Sequence, residues 1–272
     1  MVATFVVVPQ WQGSGSSRAM RLVDGAEAIR GDLPSSSTTV IAVPLEAGEA
    51  QDSGVARFTS IQLVRDRLAM ALSTIEGPAI TIGGDCGVEL AAVSRVTDEG
   101  DPAVVWFDAH ADLNTPESSP STAFSGMVVR TLLGDGAPGL VPARPLTSDR
   151  LILAGTRAFD DSEDVYLKDA GIKVLEGDGF TPKQLVDAAG KTGAKSVYIH
   201  VDLDVLDPGE FDGLDNPEPF GLTVAKLVES IKALKARFEF VGAGITQFSP
   251  SSSDQIAEDM PAILRIIGAL AS

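Results

Sequence analysis

Along the chain, short runs in which nearly every position is apolar alternate with longer stretches whose apolar residues recur every three or four positions. The short runs fall at 4–8, 39–43, 79–82, 103–107, 151–154, 173–175, 196–202 and 239–245. Runs of this length without polar alternation read as strands buried on both faces. The longer stretches, 19–30, 60–74, 89–95, 126–133, 181–189, 223–234 and 254–270, predict amphipathic helices. Several carry start signals: Thr181 before Pro182, Thr223, and Ser253 or Asp254 ahead of the last helix. Strand followed by helix throughout predicts a three-layer α/β/α sandwich around a mostly parallel sheet of about eight strands. Loops at 13–17, 47–54, 114–122 and 208–219 interrupt the pattern, and the alternation resumes after each. One domain over residues 1–272 is therefore expected.

Charge narrows the function. The 272 residues carry 21 Lys and Arg against 38 Asp and Glu, a formal charge of −17. Such a surface repels phosphate, which argues against nucleic acid or an anionic membrane as partner. No apolar stretch approaches the ~20 residues of a membrane span, and the most apolar tail, 262–271, is interrupted by Arg265. The start of the chain, 1–9, lacks the basic segment of a secretion signal. The single cysteine forms no internal disulfide. A soluble, cytoplasmic protein is expected.

The ends of three predicted strands carry the chemistry. The third ends in Gly83-Gly84-Asp85-Cys86-Gly87, the fourth in Asp108-Ala109-His110-Ala111-Asp112, and the seventh in Asp202-Leu203-Asp204-Val205-Leu206-Asp207-Pro208. In open α/β sheets, ligands bind beyond the carboxyl ends of the strands. Alternation at period two sets Asp108, His110 and Asp112 on one side of an extended chain, and Asp202 with Asp204 on one side of another. A lone aspartate at a strand end is commonly a cap. Four carboxylates and an imidazole converging in a low-dielectric cleft repel one another unless a cation joins them. Oxygen-rich donors with imidazole suit Mn²⁺ or a similar first-row ion. His200, inside an apolar strand, reads as a core histidine or a support for the site.

These three motifs, in this order, resemble the signatures of the arginase–agmatinase–formiminoglutamase (ureohydrolase) family, and the resemblance spans most of the chain. It implies an α/β/α sandwich and a pair of Mn²⁺ ions bridged by hydroxide, which attacks a guanidino or formimino carbon and cleaves its bond to nitrogen. Carried over by position, Cys86, Asp108, Asp112 and Asp202 would hold one ion, and His110, Asp108, Asp202 and Asp204 the other. Asp112 would pass a proton to the departing amine. The resemblance also implies a homo-oligomer, a trimer or hexamer, and a small guanidino or amidino compound as the partner.

The chain departs from the family pattern in ways that bear on substrate. Cys86 stands where a ligand histidine is usual. As a soft donor it matches Mn²⁺ poorly, so one ion or two, another first-row metal, or a merely buried thiol are all open. Ser125 falls at the position of a proton-shuttling histidine, and Gln247 where a glutamate faces the guanidinium. Asn114 and Ser121 match contacts to a substrate α-carboxylate, although a neighbouring Asn is Ala123 here. Asp160 and Glu163 match contacts to the α-amino group, and they also read as an acid-rich helix start. Asn216 replaces a threonine. The combination resembles the Nω-hydroxy-arginine hydrolase branch, whose substrate is less basic than arginine. A hydrolase of agmatine, guanidinobutyrate or formiminoglutamate, or a catalytically silent relative, are the alternatives. The acidic loop 208–219 either lines the pocket mouth or is solvated.

Overall fold

A computed structural model describes residues 3–272, so the first two residues of the apolar N-terminal stretch lie outside the described chain. The strands are β1 (Thr4–Val8), β2 (Thr38–Val40), β3 (Ala79–Gly83), β4 (Ala103–Phe107), β5 (Leu151–Ala154), β6 (Lys173–Leu175), β7 (Ser196–Asp202) and β8 (Glu239–Thr246). They form one sheet in the order β2-β1-β3-β8-β7-β4-β5-β6, and every pairing is parallel. The helices are α1 (Met20–Gly31), α2 (Phe58–Leu72), α3 (Glu89–Glu99), α4 (Val128–Leu132), α5 (Asp161–Ala170), α6 (Pro182–Lys191), α7 (Val224–Arg237) and α8 (Ser253–Ala271). None among the described residues is long and apolar enough to cross a membrane.

Alternate side chains of each strand feed two cores. On one face Val7, Ile80, Val105 and Ile199 pack under Ile29 of α1, Leu185 of α6, Ile231 of α7 and Ile266 of α8. On the other, Val6, Val104, Trp106 and Tyr198 meet Val64 of α2, Val93 of α3 and Val129 of α4. Each such side chain, once buried, contributes roughly 1.5–3 kcal/mol. This is the expected three-layer sandwich.

Two local expectations are corrected. The second strand covers only Thr38–Val40 and is half-exposed, because it is the sheet edge and pairs with β1 over three residues. Helix α5 was not among the periodic stretches. Only Glu163 and Leu167 of its ten residues are buried, so it shows hardly any apolar stripe.

The registers bring four carboxyl ends level at the sheet centre. Val8 pairs with Gly83, Ile82 with Ile245, Phe107 with Val201 and Asp202 with Thr246. The ends of β3, β8, β7 and β4 therefore lie side by side.

Candidate metal centre

After β3 the chain must turn sharply beneath the loop that leaves β1. Gly84 N–H donates to the Val8 carbonyl (3.0 Å) and Asp85 N–H to that of Gln10 (2.9 Å). A Cβ on residue 84 would lie 1.9 Å from the Gln10 carbonyl oxygen, so only glycine fits. The Asp85 carboxylate accepts from Gln10 Nε2 (2.9 Å), Gly13 N (2.8 Å) and Gly87 N (2.8 Å). Burial outweighs those bonds and raises its pKa to about 6. Asp85 is thus a clamp between two loops, and it delivers Cys86 to the cleft.

Cys86 Sγ donates to Asp202 Oδ2 at 2.8 Å and lies 4.0 Å from His200 Nε2. Beyond β4, Asp108 Oδ1 accepts from the His110 backbone N–H (2.7 Å), and Asp108 Oδ2 from Trp106 Nε1 (3.0 Å). His110 Nδ1 sits 2.9 Å from Asp204 Oδ2 and 3.6 Å from Asp108 Oδ1. Asp204 Oδ1 accepts from Ala109 N (3.0 Å), which ties the β4 and β7 ends together. The convergence is not strand alternation, because β4 stops at Phe107 and Asp112 is left-handed at φ 54°. A turn gathers these side chains.

Asp108, Asp112, Asp202 and Asp204 are each at most 5% exposed. Burial first, and then the neighbouring carboxylates, hold Asp108, Asp112 and Asp202 above the usual range. Asp204 goes the other way: burial opposes its charge, but His110 outweighs it. Burial likewise opposes an imidazolium at His110, yet Asp204 and Asp108 push its pKa up to about 12. The Cys86 thiol is raised by burial and by Asp202, Asp112 and Asp108. The His110 imidazolium alone does not balance the four buried acids, and Asp112 Oδ2 has no hydrogen-bond partner.

Two compact donor groups answer that imbalance: Cys86, Asp108, His200 and Asp202, and Asp108, His110 and Asp204. In each, the donor atoms lie within 4.8 Å of one another. The residues fit divalent cations, one group carrying sulfur and the other oxygen with nitrogen. Asp112 belongs to neither group, although it lines the same cavity.

That cavity, about 420 Å³, is lined by all twelve residues given a metal, catalytic or substrate role from the sequence, from Cys86 and Asp108 to Ser125 and Gln247. Their engagements differ. Asn114 Nδ2 is spent on Asp160 Oδ2 (2.7 Å). Ser121 Oγ accepts from Ala123 N (3.2 Å), and Ser125 N donates to the Gly13 carbonyl (3.0 Å). Glu163 accepts from Asp160 N (2.9 Å) and Leu113 N (2.8 Å), so it both caps α5 and braces the motif after β4. Gln247 sits at φ 67°, its N–H on the Gly84 carbonyl (2.7 Å) and its Nε2 3.7 Å from Cys86 Sγ. Strained backbone of this kind concentrates at functional sites.

Sequence reasoning singled out neither of two charged lining residues, Asp215 and Arg18. Asp215 is buried, bonded by Ser14 Oγ (3.2 Å) through one oxygen, with the other unpartnered. Arg18 brings a guanidinium to the same cavity. The signal for Asp215 was its place in the acidic loop 208–219. Asp215 and Asn216 line the cavity, while Arg157 holds the loop through the Glu218 and Pro219 carbonyls.

A parallel α/β sandwich with buried acids at its central strand ends defines a metal-binding α/β protein. The family model described as "Arginase family" matches residues 20–266. The chain belongs to the arginase family. It is 26% identical to an arginase of Bacillus caldovelox over 225 residues, covering 78% of this chain and 75% of that one. It is 29% identical to an N(omega)-hydroxy-L-arginine amidinohydrolase of Streptomyces lavendulae, covering 71% and 70%. Among solved structures, an Entamoeba histolytica arginase in complex with L-ornithine superposes with a TM-score of 0.87 at 21% identity, covering 98% and 97%. That likeness concerns the fold.

Proposed function

We propose that this chain is a divalent-metal-dependent hydrolase of a linear carbon–nitrogen bond in a guanidino compound with an amino-acid head, and that N-hydroxyguanidines are preferred to arginine. The observation that carries the reading is one cavity in which four buried carboxylates and an imidazole stand beside a neutral Gln247. Family membership supports the reaction class, and the likeness to the hydroxyarginine amidinohydrolase supports the substrate.

Cys86, Asp108, Asp202, His110 and Asp204 would hold divalent ions, whose Lewis acidity would bring the pKa of water in the cavity near neutrality. Mn²⁺ suits the donor group Asp108, His110 and Asp204. Asp112, with a buried unpartnered oxygen, holds the proton and passes it to the departing nitrogen. Asp160 and Glu163 offer negative charge to an α-amino group. Arg18 offers the complementary charge to an α-carboxylate, a role Asn114 can share only by releasing Asp160. At the planar end, Gln247 gives a neutral contact where a guanidinium would gain a charge-assisted one. Asp215 supplies the remaining carboxylate, so Asp215 and Gln247 together suit a weakly basic group.

The test is steady-state release of the amine product from the Mn²⁺-loaded chain with Nω-hydroxy-arginine and with arginine. The hydroxylated substrate is expected to have the higher kcat/KM by at least about tenfold. Gln247→Glu is expected to move that ratio toward arginine by about tenfold, the worth of one charge-assisted hydrogen bond over a neutral one. Equal or better use of arginine by the unaltered chain overturns the substrate reading. Bound ions without turnover of any guanidino or formimino compound overturn the hydrolase reading.

A further inference from the structure

His200 is fully buried and stacks on Trp106, ring centroids 3.6 Å apart with 25° between planes. A buried histidine normally satisfies both ring nitrogens. Here Nδ1 has no hydrogen-bond partner, and Nε2 has only the Cys86 sulfur at 4.0 Å. Of the two readings its apolar strand allows, a satisfied core residue or a support for the site, the unpartnered nitrogen favours the second.

Its surroundings are built for something else. Glu89, at the start of α3 and also fully buried, sets Oε2 3.5 Å from His200 Nδ1 while accepting from Tyr198 Oη at 2.7 Å. Glu89 reaches this point because residue 244, the register partner of His200 on β8, is glycine. A Cβ there would lie 1.8 Å from Glu89 Oε1. At 3.5 Å the Glu89 carboxylate lies just outside hydrogen-bond reach, but its charge beside Nδ1 favours the proton on that nitrogen and leaves Nε2 a lone pair toward the cleft. The outward nitrogen faces Cys86, Asp108 and Asp202. The sulfur–nitrogen separation of 4.0 Å is shorter than the ~4.4 Å sum of typical zinc–sulfur and zinc–nitrogen bonds, so one ion can reach both.

We propose that His200, oriented by Glu89, joins Cys86, Asp108 and Asp202 as a thiolate–imidazole–dicarboxylate site, and that this position takes a borderline ion of the Zn²⁺ or Co²⁺ kind in preference to Mn²⁺. Thiolate with imidazole selects such ions, whereas the neighbouring group of Asp108, His110 and Asp204 keeps the harder donor set. The inference rests on the metal-dependent reading above and adds to it a ligand and an unequal pair of positions. It also explains how the chain accommodates Cys86: the imidazole is supplied from β7 instead of from the β3 loop.

The chain contains only two histidines, which makes the imidazole count decisive. The full-length protein is stripped of metal, loaded with excess Co²⁺ and freed of unbound ion. Its ultraviolet spectrum is then read for thiolate-to-cobalt charge transfer. Its paramagnetic proton NMR spectrum is read for hyperfine-shifted exchangeable imidazole protons. The charge-transfer band and two such protons are expected, one from each histidine. Competition is expected to leave Zn²⁺ at one position and Mn²⁺ at the other by elemental analysis. Glu89→Gln is expected to weaken the sulfur-containing position by about tenfold, as loss of an orienting carboxylate does elsewhere, and to spare the other. Cobalt bound with one shifted imidazole proton, or without the charge-transfer band, overturns this proposal and leaves the hydrolase reading standing. No binding of Co²⁺, Zn²⁺ or Mn²⁺ overturns the hydrolase reading as well.

Discussion

Asp160 is a residue with two employments, and they must be separated before its role in recognition can be measured. It begins α5, where its N–H donates to Glu163, and its carboxylate takes the Asn114 amide. Replacing it by alanine removes a helix cap, worth about 1 kcal/mol, along with the charge. Asparagine caps as well as aspartate does and carries no charge. Asp160→Asn is therefore expected to leave the melting temperature nearly unchanged. It should raise KM by about tenfold for substrates with an α-amino group, the scale of a charge-assisted hydrogen bond. Agmatine-like compounds, which lack that group, should not respond. An equal rise for both kinds of substrate would assign Asp160 to the helix alone.

The turn after β3 shows how an element is held for a site that it hardly touches. Gln10, Gly13, Gly84 and Asp85 lock two loops through backbone bonds and one buried carboxylate. Gly84→Ala forces a methyl group onto the Gln10 carbonyl. Overpacking of this kind costs about 1–3 kcal/mol, which at ~2–4 °C per kcal/mol predicts a fall of several degrees in melting temperature. The displacement carries Cys86 with it, so the sulfur-containing position should lose its ion while the donors beyond β4 and β7 keep theirs. Gly190→Ala in α6, where a Cβ meets nothing within 4 Å, is the control and should be neutral or slightly stabilising. Unchanged melting and cobalt spectra for Gly84→Ala would refute the clamp.

Over the whole molecule, the acid cluster ties stability to pH and to cations. Asp108, Asp112 and Asp202 have native pKa values above the ordinary 3.8, burial being the main cause. The metal-free native chain then holds protons that the unfolded chain has released. The sign follows from linkage: stability is greatest below 3.8 and declines as pH rises through the raised values. His110, raised to about 12, acts in the same direction above its ordinary 6.5. The metal-free protein is expected to melt higher at pH 5 than at pH 8, by a margin that Asp202→Asn reduces. Added Mn²⁺ should reverse the order, because cations need the deprotonated donors, and calorimetry in two buffers should register proton release on binding. A metal-free chain that gains stability between pH 5 and pH 8 relative to Asp202→Asn would contradict the cluster.

The alternation of buried strands with helices, and the residues standing at strand ends, were set by the sequence itself. Both are local: apolar runs declare strands, and a parallel sheet presents whatever follows each run at one edge. Hence Cys86, Asp108, His110, Asp112, Asp202 and Asp204, which follow β3, β4 and β7, line one cavity, and the six substrate-side residues that the family resemblance supplied line it with them. The order that brings β3, β8, β7 and β4 together was decided only by the folded chain, since any buried parallel strand can pair with any other until the helices above and below are packed. The bounds of the edge strand β2, read as 39–43 but covering Thr38–Val40, and the length of helix α5, of which only the acid-rich start was read, were obscured for a related reason, both having little apolar surface to declare them. His200 shows the same limit at one residue. Its apolar neighbours in sequence marked it as core or as a support for the site, but the Cys86 and Glu89 that face it stand more than a hundred positions away. What a buried polar group does depends on which partners the fold sets against it, and those contacts form only when distant segments close on one another.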